Sequence, residues 1–415
     1  MKSKIAFGLL ILVALNGCNK DINVPVPSTG PNNLMEETYP LSTASRALMD
    51  GVYSVSTGND FLGDQVVVKS NRTHLLITTG SGIYFIIQTG YLDSVVFLQG
   101  YWRDGYSDET GLAAMYVSRS EGGSDIVTGV PTRQIIIRGG YGTNNETTDK
   151  GIVLQYLRPF SDKAQPGNFY ILAHRSGGRT SDHLPVSENS LEMIRYTEKL
   201  GSTGIEIDVR LTSDGIPFIY HDSDINTRLT QKGPLAGPIE NYSWLQLSTF
   251  VRLIHGEKIP TLEDALTLVV DSTLLRFVYL DMKANRDAMA QVIPIQQRIL
   301  ERARQKGRDL IVVVGIPTDE VLNDLMNYPD YQNIPSLCEL SVDDVRLVNS
   351  RVWGPRWTLG TQNDLVDQMH SENRLAVAWT IDPVQWIRDF INEGHFDGLL
   401  SNYPYVVAYY YYIRE

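Results

Sequence analysis

A chain of 415 residues is longer than one ordinary compact domain, so two are expected. Its 42% hydrophobic share is enough to bury a sizeable core, which argues against disorder. A net charge of −12 lacks the basic surface that polyanion binding needs; nucleic acid is therefore not an expected partner, although a small basic pocket for a phosphate is still allowed.

The first 18 residues read as a targeting segment. Lys2 and Lys4 precede an apolar run from Ile5 to Leu15 that is too short to span a bilayer. The run ends in Leu15-Asn16-Gly17-Cys18, which resembles a bacterial lipoprotein box; the alternatives are an ordinary cleaved signal or an uncleaved anchor. On the first reading Cys18 is lipidated and the protein is exported and anchored to a bacterial membrane, with Lys20 and Asp21 hinting at the outer one. Only Cys338 then remains, so no intramolecular disulfide can form, and it is expected to be a small buried hydrophobe. Residues 19–45, with Val24-Pro25-Val26-Pro27, read as a flexible tether.

Residues 46–160 carry short β-rich runs at Gln65–Val68, His74–Thr79, Ile83–Gln88, Ser94–Gln99, Leu112–Ser118, Gln134–Arg138 and Gly151–Leu157, punctuated by glycine clusters. This spacing predicts an all-β antiparallel sandwich or barrel, with no helix after about Val52 and no catalytic constellation. The domain's role is unassigned.

Residues 168–415 alternate strands and helices. Strands are expected at Phe169–Ala173, Gly204–Arg210, Ile216–Tyr220, Arg276–Asp281, Asp309–Val314, Ser336–Leu340, Leu375–Thr380 and Gly398–Ser401, with Arg351–Trp353 as a possible ninth. Eight short apolar strands in this length match a (β/α)8 TIM-like barrel better than an open sheet. The helix after the first strand is expected to be capped by Asn189 with Glu192 and to end at Gly201.

In such a barrel, functional groups gather at the C-terminal strand ends. His174 and Arg175 end the first strand, Glu206 and Asp208 lie near the end of the second, His221 and Asp222 end the third, and Asp281 and Lys283 end the fourth. Glu206 and Asp208, two apart, point to one side of their strand. They repel unless a cation sits between them, and Asp281 supplies a third oxygen ligand suited to Mg²⁺ or Ca²⁺. Without a cation, the bland alternative is a salt bridge to Arg210, Arg175 or Lys283. His174 and His221 form an acid/base pair, and Arg175 and Lys283 offer charge to phosphoryl oxygens. His183, His255, His370 and His395 read as loop or surface residues.

These residues recur in an ordered set: His174-Arg175-Ser176-Gly177, Ser187-Glu188-Asn189-Ser190, Glu206-Ile207-Asp208-Val209, Thr212-Ser213-Asp214-Gly215 through His221-Asp222, Ile259-Pro260-Thr261-Leu262-Glu263-Asp264-Ala265, Ala378-Trp379-Thr380 and Asp397 through Pro404. Together they resemble the glycerophosphodiester phosphodiesterase family. The resemblance implies a TIM-like barrel, a divalent cation on Glu206, Asp208 and Asp281, acid/base roles for His174 and His221, and substrate-orienting roles for Glu188 and Trp379. Three positions depart from the family pattern: Ser176 interrupts His-Arg-Gly, Asp281 stands where the family has Glu, and Asn402, where Asp is common, is assigned no role. The expected activity is hydrolysis of a glycerophosphodiester to glycerol phosphate and an alcohol. The alternatives are a phospholipase D-like or phosphoinositide-directed activity on the same site, or a non-catalytic phosphate-binding module.

Overall fold

The computed structural model describes residues 24, 26–27, 33–143, 147–284 and 286–415; the expected signal segment, Cys18 and most of the tether lie outside them. The N-terminal strands are β1 (Tyr39–Pro40), β2 (Gly51–Thr57), β3 (Gln65–Ser70), β4 (Leu75–Thr78), β5 (Ile83–Leu92), β6 (Val95–Asp104), β7 (Thr110–Val117), β8 (Ile136–Tyr141) and β9 (Lys150–Arg158). From β2 to β9 every strand pairs antiparallel with its chain neighbour, and β2 pairs with β9, closing an eight-stranded up-and-down barrel. Of the two expected architectures, the closed barrel is the one formed.

Two expectations here need correction. The final part of the tether is not free: Leu34 N donates to Gln99 Oε1 at 2.8 Å, and β1 pairs with β5. The domain also contains short helices, at Asn59–Leu62 and Gly123–Thr128. They were invisible because each is little more than one turn, too short for a 3.6-residue apolar period to register.

The C-terminal strands are β10 (Tyr170–Ala173), β11 (Gly204–Leu211), β12 (Pro217–Ile219), β13 (Asp224–Ile225), β14 (Gly237–Pro238), β15 (Phe277–Met282), β16 (Ile311–Ile316), β17 (Ser336–Cys338), β18 (Val352–Trp353), β19 (Leu375–Ala378) and β20 (Gly398–Ser401). Eight of them, β10, β11 and β15 to β20, pair in parallel, and β10 pairs with both β11 and β20, so the barrel closes. The barrel is as expected, but one of its members is not. The run at Ile216–Tyr220 is no barrel strand: β12 folds back antiparallel on β11, Leu211 opposite Pro217. A connection this short can only turn the chain back, because a parallel crossover needs a dozen or more residues. The eighth barrel strand is β18, the run taken as a possible ninth.

Alternation of side chains sets what faces where. On β11, Ile205, Ile207, Val209 and Leu211 pack outward into the core under the helices. By the period of two, Glu206, Asp208 and Arg210 then face inward. Below them the interior is plugged by Leu172, Phe277, Tyr279, Val313, Leu337 and Leu400, so the barrel is packed at its base and polar only at its rim. Cys338 is buried, and burial pushes its thiol up to about 12, in keeping with the role of a small hydrophobe.

The two barrels share one core. Val52, Val67, Leu76, Tyr84 and Ile86, on the outer face of the N-terminal barrel, join the core cluster of the parallel barrel. Between them lies the last helix, Pro404–Tyr412, apolar or aromatic all round and buried along most of its length. Tyr405 packs its ring at a tilt on Tyr84, centroids 4.3 Å apart, and its carbonyl accepts from Thr78 Oγ1 at 2.8 Å. Gly105 completes the fit: a Cβ there would stand 1.8 Å from Tyr405 Oη.

Candidate active site

The chain leaves β10 in a sharp turn. Arg175 and Ser176 both adopt left-handed backbone, with φ of 50° and 73°, and Ser176 is fully buried. This turn aims Arg175 N at Glu206 Oε2, 2.7 Å away, and sends the guanidinium across the rim, where Nη1 donates to Glu188 Oε1 at 2.9 Å. Glu188 is buried and accepts again from Thr180 N at 2.6 Å and Thr180 Oγ1 at 2.9 Å.

The three predicted metal carboxylates converge. Asp208 and Asp281 are directly opposed in the β11–β15 register, and one oxygen each from Glu206, Asp208 and Asp281 lies within 4.8 Å of the others. Each carboxylate has one oxygen engaged: Glu206 Oε2 by Arg175 N, Asp208 Oδ2 by Asn189 Nδ2 at 2.7 Å, and Asp281 Oδ2 by Lys283 Nζ at 2.6 Å. The other three, Glu206 Oε1, Asp208 Oδ1 and Asp281 Oδ1, are buried with no hydrogen-bond partner among the described residues. Buried carboxylate oxygens left open are costly unless a cation takes them. An all-oxygen set of this kind fits a hard divalent cation, and the shorter Asp281 still reaches the group. Without such a cation, burial and then the charges of Asp208 and Asp281 push Glu206 well above the ordinary carboxylate range; burial likewise raises Asp281. Burial alone would lower Lys283, but Asp281 and Asp208 outweigh it and hold its ammonium above the usual range.

The two histidines share a tautomer. His174 Nδ1 lies 2.8 Å from Asn402 Oδ1. Asn402 Nδ2 donates to Asp382 Oδ2 at 2.7 Å, which fixes the amide so that its oxygen faces the imidazole. His174 therefore carries its proton on Nδ1 and turns the Nε2 lone pair toward the carboxylates, 3.8 Å from Glu206 Oε2. Burial, then Arg175, pulls His174 down to about 3, so it is neutral at physiological pH. His221 Nε2 meets Arg175 Nη2 at 2.7 Å; the guanidinium can only donate, so here too Nε2 accepts and Nδ1 carries the proton, given to Asp222 Oδ1 at 2.7 Å. Burial would raise Asp222, but hydrogen bonds from Arg228, His221 and Asn226 outweigh it and hold its carboxyl well below the usual range.

His221 reaches the rim from the hairpin rather than from a barrel strand. Tyr220 N donates to Asp208 O at 2.9 Å, laying the residue beside β11. Arg210 then fixes its backbone: Nη2 donates to His221 O at 2.8 Å, Nη1 to Lys283 O at 2.9 Å, and Glu240 neutralises the guanidinium at 3.0 Å. Arg210 thus pairs with Glu240 rather than with the carboxylate pair. Trp379 stands just past the end of β19, its Nε1 donating to Gly354 O at 2.6 Å and Arg356 lying over its ring at 5.1 Å.

Glu206 and Asp208 lie inside β11; the other predicted site residues in the described part of the chain lie at strand ends or in the loops that follow them. The helix cap is Ser190, accepting from Met193 N, and not the expected Asn189, which holds Asp208 from both sides by also accepting from Asp208 N at 3.2 Å. Asn402 does have a place, orienting His174, and the same strand-end logic applied to β20 points to it. His183 is a partly exposed loop residue, as expected, and it meets Asp108 of the N-terminal barrel at 2.5 Å. His370 and His395 pair with surface aspartates, Asp397 and Asp367, as expected of surface residues.

Comparison with known proteins matches residues 174–406 to the model of the glycerophosphoryl diester phosphodiesterase family. Glycerophosphodiester phosphodiesterase of Caldanaerobacter subterraneus is 30% identical over 239 residues, covering 56% of this chain and 94% of that protein. "Probable glycerophosphodiester phosphodiesterase 2" of Mycobacterium tuberculosis is 36% identical over 145 residues, 35% of this chain; the chain spans about half of that relative's length, 48%. It spans a third, 34%, of human glycerophosphodiester phosphodiesterase 1, at 33% identity over 118 residues and 28% of this chain. A crystal structure of a glycerophosphodiester phosphodiesterase from Parabacteroides distasonis covers 57% of this chain and 94% of its own, with 18% identity and a TM-score of 0.46.

Proposed function

Because the chain belongs to the glycerophosphoryl diester phosphodiesterase family, we propose that it hydrolyses a glycerophosphodiester to glycerol phosphate and an alcohol. The observation that carries this reading is the triad of open carboxylate oxygens set beside two Nε2-accepting histidines. Glu206, Asp208 and Asp281 would hold a divalent cation, Mg²⁺ or Ca²⁺, which when bound neutralises the carboxylates and draws charge from a phosphoryl oxygen. Lys283 and Arg175 add positive charge for the remaining phosphoryl oxygens. His174, neutral and with Nε2 open, takes the proton of the attacking hydroxyl as the new P–O bond forms. His221 gives a proton to the leaving alkoxide as the ester P–O bond breaks; Nε2 takes that proton up from solvent once Arg175 Nη2 has turned from it to a phosphoryl oxygen, while the Nδ1 proton stays hydrogen-bonded to Asp222 Oδ1. Glu188 orients Arg175, and Trp379 walls the rim.

The test is turnover of glycerophosphocholine, glycerophosphoinositol and glycerophosphoglycerol by wild type and His174→Ala, with and without chelator. Expected are chelator-sensitive release of glycerol phosphate and a rate that changes with pH between about 5 and 9. Activity unaffected by chelator, or a flat response between about pH 5 and 9, overturns the mechanism. Inactivity on every diester favours the phosphate-binding module.

One feature favours a second outcome at the same centre. Asp281, with Lys283 at 2.6 Å, is a shorter ligand than the family's Glu and resembles the arrangement of phospholipase D-type relatives of this barrel. On this second reading the nucleophile is the substrate's own neighbouring hydroxyl in place of water, and the first product is a cyclic phosphate. Phosphorus NMR of the early reaction separates the two.

Export and lipid anchoring through Cys18 belong to the same proposal. Among the described residues no helix is long and apolar enough to cross a membrane. Metabolic fatty-acid labelling that persists in Cys18→Ser would overturn the anchor.

A further inference from the structure

The loop between β6 and β7, residues 105–109, leaves the N-terminal barrel at the parallel barrel's catalytic rim. Arg103, only 2% exposed, passes its guanidinium across the domain boundary and donates from Nη2 to His183 O at 2.9 Å. Asp108 Oδ1 takes His183 Nδ1 at 2.5 Å. Held at both ends, His183 keeps left-handed backbone, φ 49°, and its N–H closes a turn on Thr180 O at 3.2 Å. Thr180 gives both its donors to Glu188, Glu188 holds Arg175, and Arg175 meets His221 Nε2 and Glu206 Oε2. A second route runs from Tyr106, whose ring packs at a tilt on Tyr403 at 4.6 Å, to the adjacent Asn402 and so to His174.

We propose that the N-terminal barrel is a working part of the catalytic centre, with Arg103 and Asp108 acting as positioning residues that clamp His183 and through it set Arg175 against His221. The proposal rests on the reading of that rim as a diester-hydrolysing site. The segment from Gly177 to Asn189 has no regular secondary structure beyond one short turn, so its shape depends on what it is tied to. The metal carboxylates, by contrast, hang on β11 and β15, and the one tie they receive from this chain of contacts, Arg175 N to Glu206 Oε2, comes from the backbone turn at the end of β10.

The experiment measures kcat, KM and Mn²⁺ affinity in the full chain for Asp108→Asn, His183→Asn, the double variant and Arg103→Met. Asparagine tolerates the left-handed backbone at position 183, so His183→Asn removes the contact without forcing the turn. Each single loop variant is expected to lower kcat about 5- to 10-fold and Arg103→Met roughly 100-fold, with KM and Mn²⁺ affinity within about twofold of wild type. The double variant should be no worse than either single, because both substitutions cut one link. Asp108→Glu, which keeps the carboxylate, should restore kcat. Backbone hydrogen exchange across 177–189 should quicken in Asp108→Asn and not in Asp108→Glu. A kcat within twofold of wild type in Asp108→Asn and His183→Asn, losses that multiply in the double variant, or unchanged exchange overturns the clamp. If Arg103→Met fails to fold, the exposed Asp108 still decides. If wild type turns over no diester, the functional reading fails and the exchange measurement alone judges the clamp.

Discussion

Both barrels close on eight strands, and they spend those strands differently. In the antiparallel barrel the inward side chains, among them Tyr53, Val66, Val68, Leu75, Phe85 and Trp102, form a continuous apolar filling. In the parallel barrel the same alternation gives an apolar base and then, one step further along β10, β11 and β15, His174, Glu206, Asp208 and Asp281. The backbone follows the same division. Of the ten non-glycine residues with positive φ among those described, four fall between Arg175 and Asn189, at the rim, while the antiparallel barrel has only the Asp93-Ser94 turn. Positive φ and open polar groups are concentrated where chemistry is to be done; among the described residues of the antiparallel barrel they are confined to the Asp93-Ser94 turn and to Tyr84 Oη and Arg103 Nη1.

Four changes would break or sharpen this contrast. The largest effect is expected at the rim: His174→Ala should lower kcat by about 10³-fold while leaving the urea midpoint of the metal-free protein close to wild type, measured by steady-state kinetics and denaturation. Next is Tyr84→Ala, on the outer face of the antiparallel barrel, which removes a fully buried ring from the shared core; it should cost about 3 kcal/mol in urea unfolding. A pH effect comes third. Burial, then Asp281, pushes Glu339, just past β17, up to about 7. An acid whose folded pKa is raised stabilises fully below its unfolded value, and that contribution is lost as pH rises through the folded one. Metal-free protein should therefore lose stability between about pH 4.5 and 7, and Glu339→Gln should flatten that slope in urea melts across the window. The smallest effect is a gain: Ser176→Gly, at φ 73° and with an unpartnered buried hydroxyl, should raise stability by about 1 kcal/mol by calorimetry.

The sequence carried the rim further than it carried the barrel. His174, Glu206, Asp208, His221 and Asp281 were legible because titratable residues at the ends of apolar runs have few other reasons to be there. Strand membership was less legible. Pro217-Phe218-Ile219 is as apolar as a barrel strand, and only the short turn before it gives away its antiparallel return. Val352-Trp353 is too short to stand out. Asn189 was missed because an Asn before a helix reads as a cap on local grounds, and only the fold reveals that Asp208 lies beside it. The tie between Arg103 and His183, 80 residues apart, has no local signature at all.

The helix Pro404–Tyr412 has a consequence for how the molecule is made. The antiparallel barrel is complete by Arg158, and synthesis runs from the N-terminus at about 5–20 residues per second. Its docking face of Val52, Val67, Leu76, Tyr84 and Ile86 must then wait, incompletely covered, for some 250 further residues before the helix that seals it emerges. The parallel barrel waits as long, since β10 closes on β20 only after Ser401. Maturation of both halves therefore ends in one late event, in which a nine-residue segment completes the cover that Thr197–Leu200 begins over an apolar surface exposed since early in translation. A nascent chain stalled before Pro404 should bind chaperones through the outside of its finished first domain.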